Sequence, residues 1–270
     1  MLVVTIPLSI IKTYTYLSYV SMVGIFCATL GGMILIGFCS NQLTTNQAPS
    51  GEVKVFDISQ FFGYVGIAMF AFEGNGIVIN LKAATLNKQR YPSLLRFAMV
   101  TIIVWYMILA TVSYATYKDQ TGKVDYITAN LPLNGLTIAI QVLFCMNALT
   151  SYPIQILCAF EIIEGTEFFN SSTESKLVHN IKVYVERVVV ILVVTIAAIF
   201  IPRFVDFLNI SGSLGAASLG FILPPLYYFK ANNGIKFVPK HLAAFNVFLI
   251  CFGTFGAIFS LVTSIQNLIN

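Results

Sequence analysis

Long apolar segments alternate with short polar segments along almost the whole chain. About 20 apolar residues are enough for a helix to cross the hydrocarbon core of a bilayer. Seven segments meet or approach this length, at residues 17–39, 58–81, 97–117, 133–160, 183–201, 207–229 and 242–269. The pattern therefore predicts an all-α fold, a polytopic membrane helical bundle with about seven full spans. A shorter apolar segment, residues 1–11, predicts a partial span at the N-terminus.

This short apolar segment has two interpretations. One is the hydrophobic region of a signal peptide, but no basic residue precedes it and no small-residue cleavage site follows it. We therefore expect it to be the end of a spanning helix whose beginning is missing. On this interpretation the chain is a fragment of a longer bundle, or a shortened relative of one.

Composition supports an integral membrane protein with one transmembrane domain over residues 1–270. The chain is 57% hydrophobic and 10% charged, whereas soluble domains carry about 25% charged residues. Basic loop residues explain the net charge of +4, so no nucleic-acid partner is predicted. The five cysteines lie in apolar runs without the spacing of metal ligands, and no nucleophile set or acid–base pair is visible. We predict no enzyme activity, no catalytic residue, no metal and no cofactor.

The distribution of Lys and Arg predicts the orientation of the spans, because basic residues collect in cytoplasmic loops. Eleven of the fifteen Lys and Arg fall in every second loop: Lys12, Lys82, Lys88, Arg90, Arg96, Lys176, Lys182, Arg187, Lys230, Lys236 and Lys240. We expect these loops in the cytoplasm and the C-terminus on the lumenal or external side. A seven-helix receptor has the opposite orientation, so this class of protein is disfavoured.

One predicted span contains polar residues at its centre, in the stretch Phe72-Glu73-Gly74-Asn75-Gly76. Each glycine weakens a helix by about 1 kcal/mol relative to alanine. An ionised carboxylate at membrane depth costs at least about 3 kcal/mol. Backbone leaves the helix at this depth only where it is buried in protein or lines a watery cavity, so we predict a broken helix at a transport site. The alternative is that Glu73 is a buried acid that only packs two helices.

A broken helix offers two charged ends to a ligand. Unpaired N–H groups at one end attract an anion, and unpaired carbonyls at the other attract a cation. An amino acid zwitterion carries both charges, so we expect it to bind here. The predicted lining residues are Phe72, Glu73, Gly74, Asn75 and Gly76, and Glu73 either carries a coupling proton or pairs with the substrate amine.

A second group of polar residues surrounds Pro153 in the span at 133–160, which we expect to be interrupted at Tyr152-Pro153. Proline removes one helix hydrogen bond and blocks the carbonyl of Leu149. Asn147, Thr150 and Ser151 lie within one turn and are predicted to offer oxygen ligands to a substrate or coupling cation. The alternative is that these side chains bond their own backbone or join helices.

Other polar and small residues have simpler interpretations. The small residues from Ser211 to Ser218, the pair Gly31-Gly32 and the pair Gly253 and Gly256 are expected to serve close helix packing. The acidic residues Glu161, Glu164, Glu167 and Glu174 are expected to form a solvated face. Two glycosylation sequons, at Asn170 and Asn209, are expected to stay unmodified because of their positions in the topology.

Several motifs together resemble the amino acid/auxin permease family, which includes proton-coupled and vacuolar amino acid transporters. The resemblance is carried by Phe70-Ala-Phe-Glu-Gly-Asn-Gly76, Asn130-Leu-Pro132, Ile201-Pro202, Gly212-Ser-Leu-Gly-Ala216 and Leu223-Pro-Pro-Leu226. It implies a LeuT-like fold of the APC superfamily, with eleven spans in an inverted repeat. The chain would correspond to the end of the fourth span through the eleventh, and therefore lack the first broken helix.

The resemblance also implies a function. We expect a secondary active transporter that moves small neutral amino acids across the bilayer by alternating access, driven by a proton or sodium gradient. The alternative is a truncated membrane subunit that binds or senses its ligand without transporting it. The location is an open choice between the plasma membrane and the vacuole or lysosome.

Overall fold

A computed structural model describes residues 6–7, 14–45, 61, 64–118, 127–129, 131–132, 134–166, 176–200, 204–234 and 238–269. All regular secondary structure within these ranges is helical, which confirms the all-α prediction. The predicted partial span at residues 1–11 lies outside the described residues except for Ile6 and Pro7.

Nine α-helices account for most of the described residues. They are α1 (Tyr14–Thr44), α2 (Val65–Ala71), α3 (Asn75–Ala84), α4 (Tyr91–Tyr117), α5 (Gly135–Glu164), α6 (Lys176–Ile199), α7 (Phe204–Ser211), α8 (Leu223–Ala231) and α9 (Lys240–Ile269). Two π-helical turns, Gly212–Ala216 and Ser218–Ile222, join α7 to α8. A short 3₁₀ helix occupies Ile127–Ala129.

Five helical runs in the described part of the chain are long and apolar enough to cross a membrane. They are Tyr16–Thr44, Tyr91–Tyr117, Gly135–Glu164, Phe204–Ala231 and Lys240–Gln266. The predicted span at 58–81 is divided between the short helices α2 and α3. In α6, the stretch from Lys182 to Ile199 contains three charged side chains, which lowers its apolar character. The polytopic bundle is therefore present, with five of the seven predicted spans seen as membrane-length helices.

Large apolar side chains remain exposed on these helices, as expected where lipid covers them. Phe97 and Met107 on α4 are 73% and 64% exposed. Large apolar surfaces of this kind are unusual on soluble monomers. This exposure supports a membrane location for the helices.

The helices form two compact units. The first unit comprises Met1–Val53 and Asn80–Ala198, and the second comprises Lys54–Ile79 and Ile199–Asn270. In the first unit, α1, α4 and α5 share a core of Leu35, Cys39, Tyr117, Leu131 and Ile140. In the second unit, α2 packs against the π-helical turns through Val65, Met69, Ala216 and Ala217. One of the three passages of the chain between the units lies within α3, between Ile79 and Asn80.

Pro153 does not interrupt its helix, contrary to the expected break at Tyr152-Pro153. The helix α5 is continuous from Gly135 to Glu164 and Pro153 is buried within it. Membrane helices tolerate an internal proline when nearby groups satisfy the freed backbone atoms. The start of α5 is well defined, because the Asn134 side chain accepts a hydrogen bond from the Thr137 N–H at 2.9 Å.

Candidate functional site

The predicted helix break is present. The helix α2 ends at Ala71, α3 begins at Asn75, and residues 72–74 between them are not helical. The N–H of Glu73 bonds the carbonyl of Phe70 at 3.2 Å, three residues back, which closes the last turn of α2. The N–H of Ile77 bonds the carbonyl of Gly74 at 3.1 Å, which forms the first turn of α3. The chain therefore presents two helix ends next to each other.

The carboxylate of Glu73 lies at the start of α3. Its Oε1 accepts a hydrogen bond from the N–H of Gly76 at 3.4 Å, a long contact, and the side chain is exposed. The first N–H groups of a helix have no partner within it and attract negative charge. The acid of the break thus occupies the end of α3 that attracts anions.

The space around the two glycines of the break is open. A Cβ added to Gly74 or Gly76 would meet nothing within 4 Å, and neither residue has a positive φ. Neither crowding nor backbone conformation therefore requires glycine at these positions. Phe72 is 41% exposed beside them. The five predicted lining residues are contiguous, with Asn75 as the first residue of α3.

The second predicted group lies on α5 in the first unit. The Thr150 hydroxyl donates to the Met146 carbonyl at 2.9 Å and lies 3.1 Å from the Asn147 carbonyl oxygen. The Ser151 hydroxyl contacts the Asn147 side-chain oxygen at 3.3 Å. A Cβ at Gly24 on α1 would collide with Thr150 Oγ1, so α1 and α5 approach closely here. These hydroxyl groups are therefore bonded within their own helix, as the packing alternative expects.

Sequence reasoning missed a buried polar cluster in the second unit, here called the Asn209 cluster: Gly66, Ile67, Asn209, Ser213, Ser260 and Ser264. Asn209 Oδ1 accepts hydrogen bonds from the Ile67 N–H at 3.0 Å and from the Ser260 hydroxyl at 2.5 Å. The Gly66 N–H donates to Ser260 Oγ at 3.0 Å. Asn209 is 3% exposed and Ser260 is fully buried. An amide within an apolar run was the signal that could have identified it.

Asn209 makes further hydrogen bonds within this cluster. Its Nδ2 donates to Ser264 Oγ at 2.6 Å and lies 3.4 Å from the Ser260 carbonyl oxygen. The Ser213 hydroxyl donates to the Asn209 carbonyl at 2.7 Å. The Asn209 side chain is buried, and both its oxygen and its nitrogen are hydrogen-bonded. The sequon at Asn209 is therefore not accessible for glycosylation, as expected. The sequon at Asn170 lies outside the described residues.

Several glycines that were expected to serve packing do so. A Cβ on Gly212 would collide with the Gly66 carbonyl, so α2 meets the π-helical turn at its backbone. A Cβ on Gly253 would lie 2.6 Å from Phe221 Cβ, and one on Gly256 would lie 2.9 Å from Val65 Cγ1. The expectation for Gly31 and Gly32 holds as well, since a Cβ on Gly32 would lie 2.7 Å from a ring atom of Trp105.

Glu164 does not lie on a solvated face, contrary to the expectation. Glu164 is 23% exposed and forms a salt bridge at 2.7 Å with Arg187, which is 2% exposed. The guanidinium of Arg187 also lies 4.9 Å from the centre of the Phe160 ring. Arg187 therefore lies buried within α6, contrary to its predicted place in a cytoplasmic loop, and its charge is paired with Glu164. Among the described residues, neither carboxylate oxygen of the neighbouring Glu186 has a hydrogen-bond partner.

Glu161 is exposed but also has a partner. Its Oε2 accepts a hydrogen bond from Asn80 Nδ2 at 2.9 Å, which connects α3 to α5 within the first unit. Cys158 lies beside the same amide, 3.9 Å from Asn80 Nδ2. The predicted acidic residues Glu167 and Glu174 lie outside the described residues.

The membrane-length helices are those of an integral membrane protein, and a helix broken at an acidic residue is typical of transporters. The sequence model of the family "Transmembrane amino acid transporter protein" matches residues 1–266. The chain therefore belongs to this family, which confirms the family resemblance and the prediction that the protein is not an enzyme.

Curated relatives agree with this assignment. The amino acid transporter AVT3B of Arabidopsis thaliana is 32% identical over 82% of this chain and 50% of its own length. The vacuolar amino acid transporter 3 of Schizosaccharomyces pombe is 26% identical over 95% of this chain and 38% of its own length. The vacuolar amino acid transporter 4 of Saccharomyces cerevisiae is 26% identical over 86% of this chain and 36% of its own length.

This chain spans about half the length of the first of these relatives, and less of the two yeast proteins. No solved structure matches it significantly.

Proposed function

We propose that this chain forms part of a secondary active transporter that moves small neutral amino acids by alternating access, coupled to a proton or sodium gradient. The observation that carries this proposal is the break between α2 and α3, where Glu73 meets the start of α3. The named activity of the relatives supports amino acids as the substrate class. The two yeast relatives are named as vacuolar, and we propose a vacuolar membrane for this protein as well.

The two helix ends at the break suit the two charges of an amino acid. The start of α3 attracts a carboxylate and the end of α2 attracts an ammonium group. In this structure the Glu73 carboxylate already holds the Gly76 N–H. A substrate carboxylate that binds the same N–H displaces Glu73, and two carboxylates at one helix end repel each other. We propose that Glu73 takes up a proton as the substrate binds, which couples the two events.

The charges at the break support the proposal of neutral substrates. Within residues 72–76, Glu73 is the one charged side chain. If Glu73 is occupied with a proton or with the substrate amine, a charged substrate side chain has no partner in this stretch. Charged groups without a partner are expensive to desolvate. The break therefore favours substrates whose side chains carry no charge.

Asn147, Thr150 and Ser151 are proposed as oxygen ligands for a coupling cation or the substrate amine. The Thr150 hydroxyl proton is bonded to a backbone carbonyl, and Ser151 is bonded to the Asn147 side chain. Because both hydroxyl protons are already donated, these hydroxyl groups can only accept further hydrogen bonds through their lone pairs. Such a group suits a cation better than a carboxylate.

We propose a partial LeuT-like arrangement with seven full spans. In this arrangement α2 and α3 together form one broken span, and α6 forms a continuous span. The support is the break itself and the length of α6, whose 24 residues are enough to cross a bilayer. A discontinuous helix at the membrane centre is typical of transporters built from inverted repeats.

The test replaces Glu73 by glutamine and measures uptake of labelled neutral amino acids into proteoliposomes across an imposed pH gradient. Glu73→Gln should abolish proton-driven uptake while the amount of inserted protein stays the same. Glu174→Gln, the same change in a predicted polar loop, is the matched control. Uptake by Glu73→Gln that equals the wild type at every pH contradicts the proton role. Ligand binding by the wild type without any uptake would instead favour the binding or sensing alternative.

A further inference from the structure

We infer that Asn209 and Ser260 position the half-helix α2, and through it the Glu73 break, for substrate binding. This inference rests on the transport function proposed above, because it concerns the same break. It makes Asn209 and Ser260 positioning residues, which act on the substrate through α2.

The start of α2 is held by other helices and not by its own sequence. Its N-cap residue, Tyr64, makes no side-chain capping bond. Instead, the first-turn N–H groups of Gly66 and Ile67 donate to Ser260 Oγ and Asn209 Oδ1, each at 3.0 Å. Such N–H groups need partners from outside the helix. Residues of α7 and α9, 142 and 194 positions further along the chain, supply them.

Close packing at the same place opposes a shift of α2. A Cβ on Gly66 would collide with Ser260 Oγ and with two oxygen atoms of Asn209. A Cβ on Gly212 would collide with the Gly66 carbonyl. Backbones that approach this closely are characteristic of small residues at helix crossings. Rotation or translation of α2 would therefore break the hydrogen bonds to the Asn209 cluster.

The position of the first turn of α2 determines the position of the break at its other end. With seven residues, α2 is about 10 Å long, so both of its ends belong to one rigid piece. Its last turn also includes a hydrogen bond from the Phe72 N–H to the Ala68 carbonyl at 3.3 Å. A change of direction at Gly66 or Ile67 thus moves Phe72 and Glu73. A site of this kind loses affinity when its supporting contacts loosen.

Ser260 and Ser264 provide a matched pair of variants on α9. Both side chains are fully buried and both bond the Asn209 side chain. Ser260 also receives the Gly66 N–H of α2, whereas the hydrogen bond of Ser264 goes to Asn209. Ser260→Ala removes the contact with α2, and Ser264→Ala removes a buried hydroxyl of the same size. Ser260→Thr keeps the hydroxyl and tests for rescue.

Two measurements on the full chain in proteoliposomes test the inference. The first is the KM and maximal rate of neutral amino acid uptake per inserted protein. The second is hydrogen–deuterium exchange of the peptide that covers residues 64–76. Ser260→Ala should raise KM about five- to tenfold, the effect of one lost hydrogen bond, and should speed exchange in this peptide. Ser264→Ala and Ser260→Thr should stay within about twofold of the wild type in KM.

The outcomes separate this inference from the proposed function. If Ser260→Ala and Ser264→Ala change KM and exchange equally, the positioning role is wrong even though transport stands. If the wild type shows no uptake at all, the proposed function fails, and exchange alone decides whether Ser260 holds α2. Faster exchange confined to Ser260→Ala supports the positioning role in that case, and unchanged exchange overturns it.

Discussion

The carboxylate of Glu73 lies 3.4 Å from the backbone nitrogen of Gly76, three residues further along the chain. The same side chain therefore has two roles to separate, the capping of α3 and the proposed coupling of a proton. Capping requires only an oxygen acceptor, whereas coupling requires an acid. Substitutions that keep one property and remove the other distinguish them.

Glu73→Gln keeps an oxygen acceptor of the same length, so we expect it to leave the stability of the protein nearly unchanged. Glu73→Ala removes the acceptor and should lower the free energy of unfolding by about 1 kcal/mol, the usual effect of a lost helix cap. Thermal unfolding in detergent micelles measures both variants. Equal stabilities for Glu73→Ala and Glu73→Gln would show that the bond to Gly76 contributes little.

Two glycines on α1 provide a packing test with an internal control. Gly32→Ala places a Cβ 2.7 Å from the Trp105 ring and should destabilise the protein by about 1 kcal/mol net, because overpacking outweighs the gain in helix propensity. Gly37→Ala adds a Cβ with nothing within 4 Å and should stabilise it by up to about 1 kcal/mol. Thermal unfolding compares them. A Gly32→Ala variant as stable as Gly37→Ala contradicts the packing.

The buried pair of Arg187 and Glu164 should behave as a coupled unit. Each single change, Glu164→Gln or Arg187→Met, leaves a charge without its partner. We expect the double variant to lose less stability than the sum of the single variants, by about 1–3 kcal/mol. Unfolding free energies from a double-mutant cycle measure this difference. Strictly additive effects would mean that the two side chains do not depend on each other.

Asn209 should carry no glycan, although it begins an Asn-Ile-Ser sequence. Its side chain is 3% exposed and its amide is bonded to Ser260 and Ser264, so the modifying enzyme cannot reach it. Peptide-N-glycosidase treatment followed by mass spectrometry should leave the peptide that contains Asn209 unchanged. Tyr126→Asn, which creates a sequon in a loop predicted to be lumenal, is the positive control. A glycan on Asn209 would place this residue outside the buried cluster.

The helix break could be predicted from the sequence because its cause is local. An acid and two glycines within one apolar run weaken a helix wherever the run lies in the fold. The membrane-length helices could also be predicted from the sequence, since apolar length alone defines them. The structure corrected the prediction at Pro153, since α5 continues through this residue and membrane helices tolerate an internal proline.

The sequence by itself determined the class of protein, the helical fold and the acid at the break, because hydropathy and local helix energetics act over about 20 residues. Only the tertiary structure decided which polar side chains hold these helices. Asn209 meets Ile67 across 142 positions, and Arg187 meets Glu164 across a polar segment. A buried amide or charge is stable only when a partner from another helix completes its bonds, and no local pattern names that partner.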